Sequence, residues 1–243
     1  MPTPLPPLER RRADHIFFTV TAVLMLLIVV VGFAPSYFLK GAMFAHLPSV
    51  LVHLHGALFS AWIVLFVVQS SLISAAKYRL HRKLGVLGAV IAGLMVLLGI
   101  LATFGTVRRG AVPSPFFTPA SFLVSNTVGM IFFGVFVAVA IWKRNDSRVH
   151  KRLMFLANAM LLPPALFRMV FFIPLMRSHM FLIGAIPLGF VVALLLLDLY
   201  SWRRPLLVTL IGGFLFWASS PVSDMILRTH LSQRITWWAE KHP

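Results

Sequence analysis

The chain of 243 residues contains no cysteine and only six acidic residues. The first absence excludes disulfides, thiolate metal sites, cysteine nucleophiles and cysteinyl iron–sulfur clusters together. The second leaves Asp198 as the single carboxylate inside an apolar run, which argues against a proton or sodium pump built on buried acids. No His-Glu-x-x-His helix, no Gly-x-Ser-x-Gly elbow and no phosphate-cradling loop occurs. The last apolar run holds no lysine, which disfavours a retinal Schiff base. Polar alternation is missing too. The stretch from Val191 to Leu197 shows none of the alternation that a membrane β-strand requires.

What is present is hydrocarbon. Hydrophobic residues make up 59% of the chain and charged residues 12%, with a mean hydropathy of +0.91. Apolar stretches of about 20 residues read as membrane-spanning helices. Seven are found: Ile16 to about Leu39, Pro48 to Ala76, Leu84 to about Thr106, Ala120 to Trp142, Leu153 to about Leu175, Met180 to Tyr200, and Leu206 to about Ser220. The expected fold is therefore an all-α polytopic transmembrane bundle of about seven spans. Residues 1–14 form a disordered basic N-terminal segment, 15–222 the bundle with its core helices within 48–175, and 223–243 a polar tail. The first run is too long for the apolar core of a signal peptide, about 7–15 residues. Gly41 to Leu47 reads as a connection, with Pro48 opening the second helix. Pro163-Pro164 predicts a kink in the fifth run. Gly85, Ala89 and Gly93 form a small-residue ridge on the third, and Asn126, Gly134 and Ala138 a weaker one on the fourth. Trp237-Trp238 in the tail suggests a short interfacial helix.

The net charge of +16 sits mostly in short loops, so it speaks for anionic headgroups at the inner face of the bilayer and not for nucleic acid. With the N-terminus inside, about fourteen Lys and Arg fall on the inner side and about seven on the outer. This predicts an N-in, C-out protein of the cell (inner) membrane.

Polar groups within the runs mark an interior, because lipid cannot satisfy them. His55, Trp62 and Gln69 recur every seven residues and share one seam of the second helix. An outer layer holds His55, Asn126 and Arg168. An arginine at that depth costs at least ~2.5–3.5 kcal/mol and finds no carboxylate at its level, so it either meets an anionic ligand or snorkels and bonds carbonyls freed by the prolines. An inner layer holds His81, His150, Gln69, Asn158 and Asp198. Two histidines at one depth on different helices suit the axial positions of a b-type haem, or a metal ion if a carboxylate such as Asp198 completes the set. Alternatively they are interfacial residues of the basic loops. His53 lies ~200° around the helix from His55 and cannot share its site.

His53-Leu-His-Gly-Ala-Leu-Phe-Ser-Ala-Trp62, Gln69, His81-Arg-Lys-Leu-Gly85 and His150-Lys-Arg-Leu-Met154 resemble uncharacterised bacterial multi-span membrane proteins with His-Arg-x-Leu-Gly loops. More loosely, the chain is similar to b-type cytochrome helix bundles. That likeness implies at most one haem, since the fourth run carries Asn126 and no histidine. Two functions follow as expectations. One is a haem- or metal-binding membrane protein with a redox or assembly role, its cofactor held by His81 and His150 with His55. The other is a binder or transporter of a small anionic or lipophilic molecule, held by Arg168, Asn126, Trp62 and Gln69. An accessory subunit without a ligand is the third.

Overall fold

The computed structural model describes residues 5–39, 50–112 and 117–241. The connection at Gly41 to Leu47 and the opening role of Pro48 lie outside the described residues. Within them the chain is helical, without strands. Six helices are long and apolar enough to cross a membrane. They are α1 (Pro7–Phe33, running on into a π-helical turn, Ala34–Phe38), α2 (Val50–Ser74), α3 (Tyr78–Arg108), α4 (Pro119–Trp142), α8 (Leu182–Trp202) and α9 (Leu207–Leu227).

The fifth apolar run behaves differently. It breaks into α5 (Ser147–Ala159), α6 (Pro163–Met169) and α7 (Pro174–Ser178). Pro163-Pro164 opens α6 and Pro174 opens α7, where a missing N–H costs no helical bond. What the sequence suggests as one kinked helix is three short ones. The broken segment nevertheless runs the length of the bundle beside α1. Lys151 pairs with Asp14 at one end, and the backbone of Ala165 presses on Gly32 at the other.

Contacts between helix termini define the two ends. At the basic end Thr19 bonds Ser74 at 3.0 Å, the Leu5 amide donates to the Ser201 carbonyl at 3.1 Å, and Arg10 stacks on Trp202 at 4.2 Å. These contacts explain why α1 already begins at Pro7. Arg10, Arg11 and Arg12 lie on its first turns and not in a loose tail. Asp146 caps α5 by accepting from the Arg148 and Val149 amides. Partial burial pushes its pKa up, but those bonds and the Arg148 charge outweigh burial and hold the carboxyl below its ordinary value. At the distal end, α10 (His230–Lys241) packs Ala239 against Val107 and Leu123. It buries Ser232, Thr236 and Ala239 on one face and leaves Trp237 and Trp238 half-exposed.

The anticipated ridge on α3 is not its packing face. Gly85 and Gly93 are exposed, and nothing lies within 4 Å of a Cβ built on Gly93. The buried stripe one register away, Gly88, Ala92, Met95 and Gly99, meets the neighbours instead. There the Sδ of Met130 comes within 2.7 Å of a Cβ built on Gly99, and Val96 within 3.1 Å of one on Gly134. Large side chains of α3 and α4 thus enter notches left by glycines on the facing helix.

Candidate functional site

At the basic end, α2 closes with Ala76 in the left-handed region (φ 57°). The Lys77 amide reaches back to the Leu72 carbonyl at 2.8 Å, the bonding pattern of a helix-ending reversal. This turn starts α3 at Tyr78 and sets His81 close to Gln69. Asp146 in turn starts α5 and places His150 beside the last turns of α4. His150 Nδ1 lies 2.8 Å from the Ala140 carbonyl. A carbonyl can only accept, so Nδ1 carries the proton and Nε2 keeps its lone pair.

The two imidazoles meet. Their ring centroids are 6.3 Å apart, with the rings nearly perpendicular at 87°. Among the described residues, His81 Nδ1 and Gln69 Oε1 are both buried without a hydrogen-bond partner. Ala76, Lys77, Tyr78, Arg79, Leu80 and Lys83 line an open depression on the same turn. No group of three His, Cys, Asp or Glu side chains placed to hold a metal occurs among the described residues.

Asp198 is engaged elsewhere. It is fully buried against Arg152, also fully buried. Arg152 Nε donates to it at 2.9 Å and Nη2 makes a second bond. The Thr209 hydroxyl and the Leu206 amide bond its other oxygen. The sequence counts Arg152 among loop charges and holds Asp198 in reserve as a metal ligand. The structure makes them one ion pair joining α5 to the α8–α9 turn. Two clues were present in the sequence: a lone carboxylate in an apolar run needs a partner, and Arg152 is in helical phase with the buried Phe155, Leu156 and Ala159.

Midway along the bundle, Trp62 is 2% exposed. Its indole N–H donates to Asn158 Oδ1 at 3.0 Å, and Asn158 Nδ2 donates to the Met154 carbonyl at 2.8 Å. Trp62 also meets Phe133 edge-on at 5.3 Å. This pair fastens α2 to α5 just before the chain breaks. We expect Asn158→Leu to cost about 1–3 kcal/mol, because the indole donor loses its acceptor in a dry site. Unfolding in mild detergent measures it, and a change below 0.5 kcal/mol (about the noise of a surface substitution) contradicts it.

At the distal end His55, Phe59, Phe33 and Arg168 form a continuous strip. His55 and Phe59 are 6.2 Å apart, Phe59 and Phe33 5.9 Å, and the Arg168 guanidinium sits 4.3 Å over the Phe33 ring. Arg168 Nη1 donates to the Pro164 carbonyl at 2.9 Å, and no carboxylate approaches it among the described residues. His55 Nδ1 is buried without a partner among the described residues. Asn126, expected in the same layer, turns back on its own helix and donates to the Phe122 carbonyl at 2.8 Å. His55, Gln69, Asn126 and Arg168 are all at least partly buried.

The described residues define an all-helical protein with six helices long and apolar enough to cross a membrane. The chain matches no protein family, no curated protein and no solved structure.

Proposed function

We propose that this is a multi-pass protein of the cell membrane, crossing it seven times with the N-terminus inside, and that His81 and His150 hold a b-type haem near the inner surface in a redox or assembly role. The broken α5–α7 segment supplies the seventh crossing. The charge bias supports the orientation, with both long basic loops at one end.

The observation that carries the reading is the histidine pair itself. Two imidazoles on one metal, at about 2 Å per metal–nitrogen bond, place their ring centroids roughly 5–6.5 Å apart, a range that includes the observed 6.3 Å. The carbonyl bond to His150 Nδ1 is the kind of support that fixes a ligating histidine with Nε2 free. Two protein ligands do not complete the shell of a bare ion, whereas haem would supply the remaining donors from its own ring. His81 and His150 would hold the iron, and Arg79, Arg82 and Lys83 would pair the propionates. Bound there, haem would supply one-electron chemistry. Of the outer-pocket residues, Trp62 already spends its one donor on Asn158, which weakens it as a ligand.

The absorption spectrum of the purified protein, expressed with a haem precursor, tests this. We expect a Soret band that shifts on reduction and falls by more than tenfold in the His81→Ala, His150→Ala double variant. A colourless wild-type protein, or a band that survives in the double variant, overturns the proposal.

A further inference from the structure

We infer that the strip His55–Phe59–Phe33–Arg168 at the distal end is a second, separate site, which binds the anionic head of an amphiphile through phosphate or carboxylate oxygens. An arginine offers five N–H donors in a planar fork suited to such groups. Here one donor goes to Pro164, and the face is covered by Phe33, so among the described residues the remaining edge of the fork lacks an acceptor. His55 Nδ1, buried without a partner among the described residues, stands at the other end of the strip. An imidazole nitrogen there can donate a further hydrogen bond.

Between these two polar groups lie two phenyl rings. The fork therefore has apolar rings beside it, which suits a charged head with a hydrocarbon continuation and not a fully hydrated ion. Its position is set by packing. The Arg168 helix is pinned to α1 by the backbone contact of Ala165 with Gly32, the residue before Phe33. The guanidinium and its covering ring are thus set by one helix contact, as preorganised binding requires. The distal strip shares no residue with the His81–His150 pair at the opposite end.

The full-length protein in a neutral detergent, titrated with phosphatidylglycerol and followed by native mass spectrometry, provides the test. We expect one lipid to bind first, at least tenfold more tightly than phosphatidylcholine. That preference falls tenfold or more in Arg168→Gln and several-fold in His55→Gln, and is unchanged in Arg204→Gln at the exposed basic end. His55→Gln keeps the inference testable if Arg168→Gln fails to fold. Inorganic phosphate that displaces the first lipid identifies a free anion as a sufficient ligand. Failure of phosphate to compete assigns the site to lipid, and either result supports it. Equal binding of the two lipids by the wild type, or an unchanged preference in both distal variants, overturns it.

Discussion

Replacing Asp198 with alanine lowers stability by about 3–5 kcal/mol, the cost of leaving one member of a buried ion pair uncompensated. The site gives the charge no escape. Arg152 and Asp198 are both 0% exposed, and besides Asp198 the guanidinium bonds only the Arg148 carbonyl among the described residues, at 3.1 Å. The carboxylate collects bonds from Arg152, Thr209 and the Leu206 amide, so its removal orphans donors on α5 and on the α8–α9 turn. A double variant, Arg152→Met with Asp198→Leu, removes both charges and fills both positions with apolar side chains. It recovers the part of the loss that comes from the uncompensated charge, while the Thr209 and Leu206 donors stay without their acceptor. Reversible unfolding in detergent reads both. A single variant that costs less than 1 kcal/mol, or a double variant as unstable as the single, contradicts the account.

How much of this was legible in the sequence depended on how local each cause was. Hydropathy located the long helices, because a helix in lipid satisfies its own backbone. It missed the polar first turns of α1, which begins at Pro7 and not Ile16, and of α3, which begins at Tyr78 and not Leu84. The last was underestimated: α9 continues through Pro221 to Leu227, where Ser219 and Ser223 return their hydroxyls to backbone carbonyls. Pro163-Pro164 marked the disturbance in the fifth run, but not the second interruption at Pro174, since whether a proline bends or ends a helix is settled by its neighbours. The repeated Arg-x-His-basic-basic-Leu pattern, Arg79 to Leu84 and Arg148 to Leu153, put His81 and His150 at one level. Their closeness depended on α4, which fixes His150 through Ala140. The Trp62–Asn158 bond joins residues 96 apart, and no periodicity announces it. The glycine ridge on α3 misled for the opposite reason. Small residues at four-residue steps permit close approach, but the facing side chains decide where it happens, and Met130 selects Gly99.

Gly32→Ala should be the most damaging of the small glycine substitutions, costing about 3 kcal/mol or more, at or above the upper end of the usual overpacking penalty. A Cβ there would stand 2.3 Å from the Ala165 carbonyl oxygen and 2.7 Å from its carbon. Both are backbone atoms, so no rotamer change relieves the clash, and α1 and α6 must separate. Gly93→Ala is the matched control. Its Cβ meets nothing within 4 Å, and alanine gains up to ~1 kcal/mol of helix propensity over glycine. The two variants should therefore move the unfolding midpoint in opposite directions, and equal shifts would show that the α1–α6 contact is looser than described. The clash should also reach the distal site. Phe33 follows Gly32, and Arg168 lies one turn beyond Ala165, so separating the helices pulls the guanidinium off its ring. Gly32→Ala should then weaken the phosphatidylglycerol preference even in the fraction that stays folded, with Arg168 and His55 both in place. A folded Gly32→Ala protein with an undiminished preference would mean that the strip does not depend on this contact for its geometry.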